Sequence, residues 1–187
     1  APQTYAVITK YFVILGSLIL LGVIVFADIL KLILLDNQSY WEAMKVVPLI
    51  ILANFFLGIY TNLSVWYKLT NQTHIGAYIS IVGAIITLVL NYLLIPTIGY
   101  YGSAIATIAA YGSMMLISYT LGNKYYPIPY DMKKISAYLG ISILFSGVYF
   151  YYFRENYFVG IPMLLAFAYF IFYNEKETFT RILKRKA

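Results

Sequence analysis

Apolar residues in this chain run on in six long stretches, separated by short polar segments. The stretches cover roughly Tyr11–Ala27, Val46–Trp66, Ile75–Ile95, Gly102–Leu121, Ile135–Phe153 and Tyr157–Tyr173. A helix needs about 20 apolar residues to cross the hydrocarbon of a bilayer, so each run has the length of a membrane span. The first has room to extend outward, from Tyr5 or as far as Leu35. Strands fit poorly, because the runs are too long and lack a two-residue alternation. Hydrocarbon offers no water to the backbone, so each segment must satisfy its own N–H and C=O groups. The expected fold class is an all-α membrane protein, a polytopic bundle of six transmembrane helices.

The polar segments carry recognisable punctuation. Ser39-Tyr40-Trp41-Glu42 reads as a capping box opening the second helix. Pro127-Ile128-Pro129 predicts an extended connection between the fourth and fifth. Pro96 lacks an N–H and is expected to end the third helix. Gly99 and Gly102 then permit a tight reversal. Gly102, Ala106 and Ala110 recur at i, i+4 and i+8, a small-residue face that allows close helix approach in lipid. Asn91 lies about one turn before Pro96, where its amide is expected to bond a neighbouring helix or the carbonyls that Pro96 leaves free.

Composition narrows the class further. With 62% hydrophobic and 11% charged residues and a mean hydropathy of +0.78, the chain is far more apolar than a soluble domain. It has no Cys, which excludes disulfides, thiolate metal sites and Cys nucleophiles, and the single His74 argues against a His-based metal site. No cofactor is expected. The net charge of +6 would suggest nucleic acid in a soluble protein, but here the cations sort by loop. Lys10, Lys68, Lys124, Lys133, Lys134, Lys176, Arg181, Lys184, Arg185 and Lys186 fall on one side. Lys31, Lys45 and Arg154 fall on the other, beside Asp28, Asp36, Glu42 and Glu155. The positive-inside rule then makes both ends cytoplasmic, with the segment from Glu175 read as a basic tail. Nucleic acid is not an expected partner. The chain starts at Ala1 in a polar stretch leading straight into a span, without a signal-peptide pattern, and reads as the C-terminal part of a longer protein.

The residues around the reversal resemble the multidrug/oligosaccharidyl-lipid/polysaccharide exporter superfamily, and within it the bacterial polysaccharide flippases of the O-antigen type. The match is Asn91, Leu94, Ile95, Pro96, Gly99, Gly102, Ala104, Ala106 and Thr107. Tyr40, Ala43 and the run Val47-Pro48-Leu49-Ile50 resemble that family's approach to the preceding helix, and Trp66-Tyr67-Lys68-Leu69-Thr70 its short cytoplasmic turn. The resemblance covers about residues 5 to 122, while the last two spans match only in number and length. It implies a two-lobe transporter of 12–14 helices. Residues 1–122 would then form part of the C-terminal lobe, and 123–187 two additional helices with the basic tail. It further implies flipping of polyprenyl-diphosphate-linked oligosaccharide across the bacterial cytoplasmic membrane by alternating access, among membrane lipids and in contact with other polysaccharide-assembly proteins. The implied activity is transport, without catalytic residues.

Several positions are candidates for that work. Asn54, Asn62 and Asn91 are polar residues within spans that could line a substrate path, with interhelical hydrogen bonding as the structural alternative. Lys68 could meet a diphosphate at the membrane face, or serve only as a positive-inside anchor. Asp28 and Lys31, one turn apart, form either a gate or coupling-ion site or an interfacial ion pair. Two other functions compete. A cation-coupled multidrug antiporter would want a carboxylate inside a span, and only Asp28 comes close. A membrane-embedded glycosyl or acyl transferase would want a cluster of acid, base or metal-binding groups at one depth, and none stands out. The first span, without the rest of its lobe, is expected to leave a poorly packed surface on one side.

Overall fold

The computed structural model describes residues 2–34 and 44–184. Its regular elements are helices: α1 Pro2–Val25, α2 Ala27–Leu34, α3 Val47–Leu63, α4 Val65–Leu69, α5 Thr73–Ile98, α6 Tyr100–Tyr125, α7 Met132–Tyr152 and α8 Tyr157–Lys184. Among the described residues there is no strand. Six helices are long and apolar enough to cross a membrane: α1, α3 with α4, α5, α6, α7, and α8 as far as Lys176. The described residues form an all-α bundle whose six apolar helices are compatible with a membrane, as the apolar runs predict.

Spans alternate in direction, so each end of the bundle collects alternate loops. One end, here the basic end, holds Lys10, Lys68, Lys124, Lys133, Lys134 and Lys176. The opposite end holds the α5–α6 reversal with Asp28, Lys31, Lys45 and Arg154, and is called the hairpin end.

The packing order differs from the chain order. α5 lies along α6, α6 along α3, and α3 beside α1, which in turn packs on α7 and α8. The main core gathers around α1, where Val13, Leu20, Leu21, Ile24 and Val25 meet Phe55 and Ile59 of α3, Tyr138 and Tyr149 of α7, and Phe167 of α8. Lipid tails are as apolar as Leu, so close fit rather than escape from water must hold such helices together. The α1–α3 contact shows that fit, with Phe55 seated over Gly16 and Phe12 over Gly58. A second cluster joins Tyr60, Trp66 and Tyr67 to Ile79 and Met114. There Trp66 lies against Gly122, donates from Nε1 to the Ser118 carbonyl at 3.1 Å and stacks on Tyr125.

Several expectations change in detail. The first span, α1, starts before the apolar run, and one irregular residue, Phe26, separates it from α2. Its inward face is well packed, while Ile8, Leu15 and Ile19 stay exposed on the other side. Pro96 does not end the third span, because α5 continues through it to Ile98. Its ring fixes a helical φ and removes a single hydrogen bond, which the last turn of a long helix tolerates. Gly99 is the true stop, at φ 59°, where a side chain would be strained. Gly102 is already helical, so its role is close approach: a Cβ there would lie 2.7 Å from the Leu94 carbonyl carbon. Residues 126–131, with Pro127 and Pro129, stay out of helix as expected. The last helix does not give way to a tail at Glu175, since α8 runs on to Lys184. The Ser39–Glu42 capping box lies outside the described residues.

Candidate functional site

The hairpin residues come together at one end, as their spacing requires. Ala106 and Ala110 are fully buried, and Ala104 and Gly102 nearly so, on the side that α6 turns to its neighbours. Thr107 closes on its own helix by donating to the Ser103 carbonyl at 2.8 Å. Leu94 is half-buried beside Gly102, whereas Ile95 and Pro96 are exposed. Asn91 departs from expectation. Its Oδ1 is buried and has no hydrogen-bond partner among the described residues. An orphaned buried acceptor costs about 1–3 kcal/mol. Among the buried side-chain polar atoms described in the hairpin it is the one without a partner.

The remaining substrate-path candidates lie on α3 and α4, on other helices than Asn91. Asn54 donates from Nδ2 to the Ile50 carbonyl at 2.8 Å and Asn62 to the Gly58 carbonyl at 2.9 Å. Both amides therefore turn back on their own helix instead of bridging to another. Asn54 and Lys68 are exposed, and between them lies exposed Thr61, which the sequence reading passed over. Its hydroxyl donates to the Leu57 carbonyl. Residues 54, 61 and 68 stand seven apart, a spacing that drifts by only about 20° per repeat on a helix. Amide, hydroxyl and ammonium thus share one exposed line from mid-span to the basic end. The signal was available in the sequence, as a polar residue every seventh position in an apolar run.

Asp28 and Lys31 do form an ion pair, at 3.1 Å. The stronger partner was missed. Arg154, in the turn between α7 and α8, grips Asp28 with two hydrogen bonds, Nε to Oδ2 at 3.1 Å and Nη2 to Oδ1 at 2.9 Å, while lying over the Phe150 ring. The Arg154 guanidinium holds the Asp28 carboxyl below its ordinary range against the opposing effect of burial, and Asp28 raises Arg154 in return. Asp28 is a tie between the first span and the last hairpin. Both its oxygens are occupied, which leaves it poorly suited to take up a coupling ion.

A matching tie at the basic end was not anticipated. The Glu175 side chain has no exposed surface and receives Lys10 at 2.6 Å, Lys134 at 2.9 Å and the Tyr138 hydroxyl at 3.1 Å. One carboxylate therefore joins α1, α7 and α8. The hint was its position as an acidic residue amid the cations of that side, yet the partners are 165 and 41 residues away.

The chain matches no protein-family profile, no curated protein and no solved structure.

Proposed function

We propose that this chain is the C-terminal part of a two-lobe exporter of 12–14 helices in the bacterial cytoplasmic membrane, with both of its own ends cytoplasmic. The transported unit is a polyprenyl-diphosphate-linked oligosaccharide destined for surface polysaccharide or O-antigen. The observation that carries this reading is the exposed line of Asn54, Thr61 and Lys68 on α3–α4. After its bond to Ile50, the Asn54 amide still has an acceptor and a second N–H to satisfy, and lipid offers neither. Each polar group left unsatisfied in hydrocarbon costs several kcal/mol. Such a face belongs against water or another polar surface, as in a cavity between lobes. Amide and hydroxyl groups there suit a sugar, and Lys68 at the membrane face suits a diphosphate. The resemblance of the Asn91–Thr107 hairpin to the flippases supports the same reading, and the surplus of cations at the basic end supports the orientation.

The test uses the parent gene. Its deletion should make lipid-linked oligosaccharide accumulate on the cytoplasmic side, measured with an impermeant glycan-modifying enzyme on spheroplasts. The intact gene should restore the distribution. Asn54→Leu with Thr61→Leu, which alters exposed positions only, should reach the membrane at normal level and fail to restore it. A normal leaflet distribution in the deletion strain overturns the proposal, and altered dye efflux alongside it would promote a drug antiporter.

A further inference from the structure

Between α1, α3 and α7, toward the hairpin end, lies an open cleft of about 130 Å³. Leu20, Leu49 and Leu52 form its apolar walls, Ser146 and Gly147 of α7 line it, and the exposed Lys45 borders it just before α3. Two of these residues, Ser146 and Gly147, are hard to explain by packing alone. Glycine inside a helix is about 1 kcal/mol worse than alanine. Gly16, Gly58 and Gly122 use that sacrifice to seat an aromatic ring, yet a Cβ on Gly147 would meet nothing within 4 Å. Gly147 keeps space open where the protein itself does not fill it.

Ser146 is 5% exposed, and its Oγ is buried without a hydrogen-bond partner among the described residues. One turn earlier Ser142 satisfies itself by donating to the Leu139 carbonyl at 2.8 Å, as helix hydroxyls commonly do. Ser146 lies six residues before the end of α7, about 9 Å below it at the helical rise. Lys45 lies at that end. From the surface inward the cleft thus presents an ammonium, then an unpaired hydroxyl, then aliphatic walls.

We propose that this cleft seats one anionic glycerophospholipid from the leaflet at the hairpin end. Its phosphate meets Lys45, an ester carbonyl accepts from Ser146 Oγ, and an acyl chain fills the space in front of Gly147. The sequence of charge, donor and apolar wall matches the sequence of phosphate, ester and chain in such a lipid. The assignment depends on membrane insertion alone and stands independently of the export reading.

Native mass spectrometry of the intact protein, released from detergent with dioleoyl phosphatidylglycerol or dioleoyl phosphatidylcholine, tests it. One phosphatidylglycerol should be retained in preference to phosphatidylcholine. Gly147→Leu projects into free space and should reduce that retention about tenfold or more. Lys45→Gln should reduce it about fivefold and abolish the headgroup preference. Where Gly147→Leu fails to fold, Ser146→Ala removes only the unpaired oxygen and should reduce retention about fivefold. Equal retention of the two lipids, retention of neither, or retention unchanged in the variant that folds overturns the proposal.

Discussion

Each end of the bundle is fastened by one carboxylate held between two cations, but the two fastenings are built differently. At the basic end, Glu175 has no exposed side-chain surface and draws Lys10, Lys134 and Tyr138 from two other helices. At the hairpin end, Asp28 keeps 11% of its side chain exposed, and Arg154, the partner that grips it twice, keeps 31%. Buried ion pairs are weak stabilisers when intact and expensive when broken, because the survivor is left charged in a poor solvent. Partly solvated pairs can fall back on water. The comparison therefore predicts unequal consequences for similar substitutions.

The largest effect should follow Glu175→Ala, which strands Lys10 and half-exposed Lys134. A loss of about 3–5 kcal/mol is expected in denaturation followed in detergent. Replacing the three charges together, with Glu175→Leu, Lys10→Met and Lys134→Met, should recover most of that loss. A triple variant no more stable than the single one would break the account.

Arg154→Ala comes next, at roughly 1.5 kcal/mol for its charge-assisted bonds to Asp28, no more than half the Glu175→Ala loss by the same assay. If the two losses were equal, the distinction between the ends would fail. The pH dependence sharpens it. Asp28 has a folded-state pKa below its ordinary value of 3.8, so its contribution is complete above that value and disappears as pH falls through the depressed one. The stability difference between the wild type and Asp28→Asn should stay flat from about pH 8 to pH 5 and shrink only below about pH 4. A change at neutral pH would point to a different group. Lys31→Ala should be the mildest, within about 0.5 kcal/mol, since an i,i+3 pair contributes little beside the Arg154 contact.

These ties also mark how far the sequence could be read. The six spans are legible because crossing hydrocarbon demands long uninterrupted apolar runs. The Gly99 reversal and the buried Gly102–Ala106–Ala110 face are legible because their spacing is local. Which helix packs on which is not. A span apolar all round gives no sign of its inward face, so the contacts of α1 with α7 and α8 were invisible. Arg154 and Glu175 were misjudged for the same reason, since that packing brings Arg154 to Asp28 across 126 residues of chain and Glu175 to Lys10 across 165. Among the candidate path residues, local pattern found Asn54 and Lys68 but missed that Thr61 joins them. Asn91 proved exceptional only in lacking the partner its neighbours suggested.

The place of α1 at the centre of the packing bears on how the protein is made. Its partner α3 follows soon after it, but α8, which supplies Glu175, is complete only about 150 residues later, roughly 10–30 s at ordinary rates of synthesis. For that interval a freshly inserted first span waits in the bilayer with Lys10 lacking its carboxylate and one face lacking its neighbours. A ribosome stalled after α7 would expose that unfinished surface, which makes α8 a latch that closes over the first span.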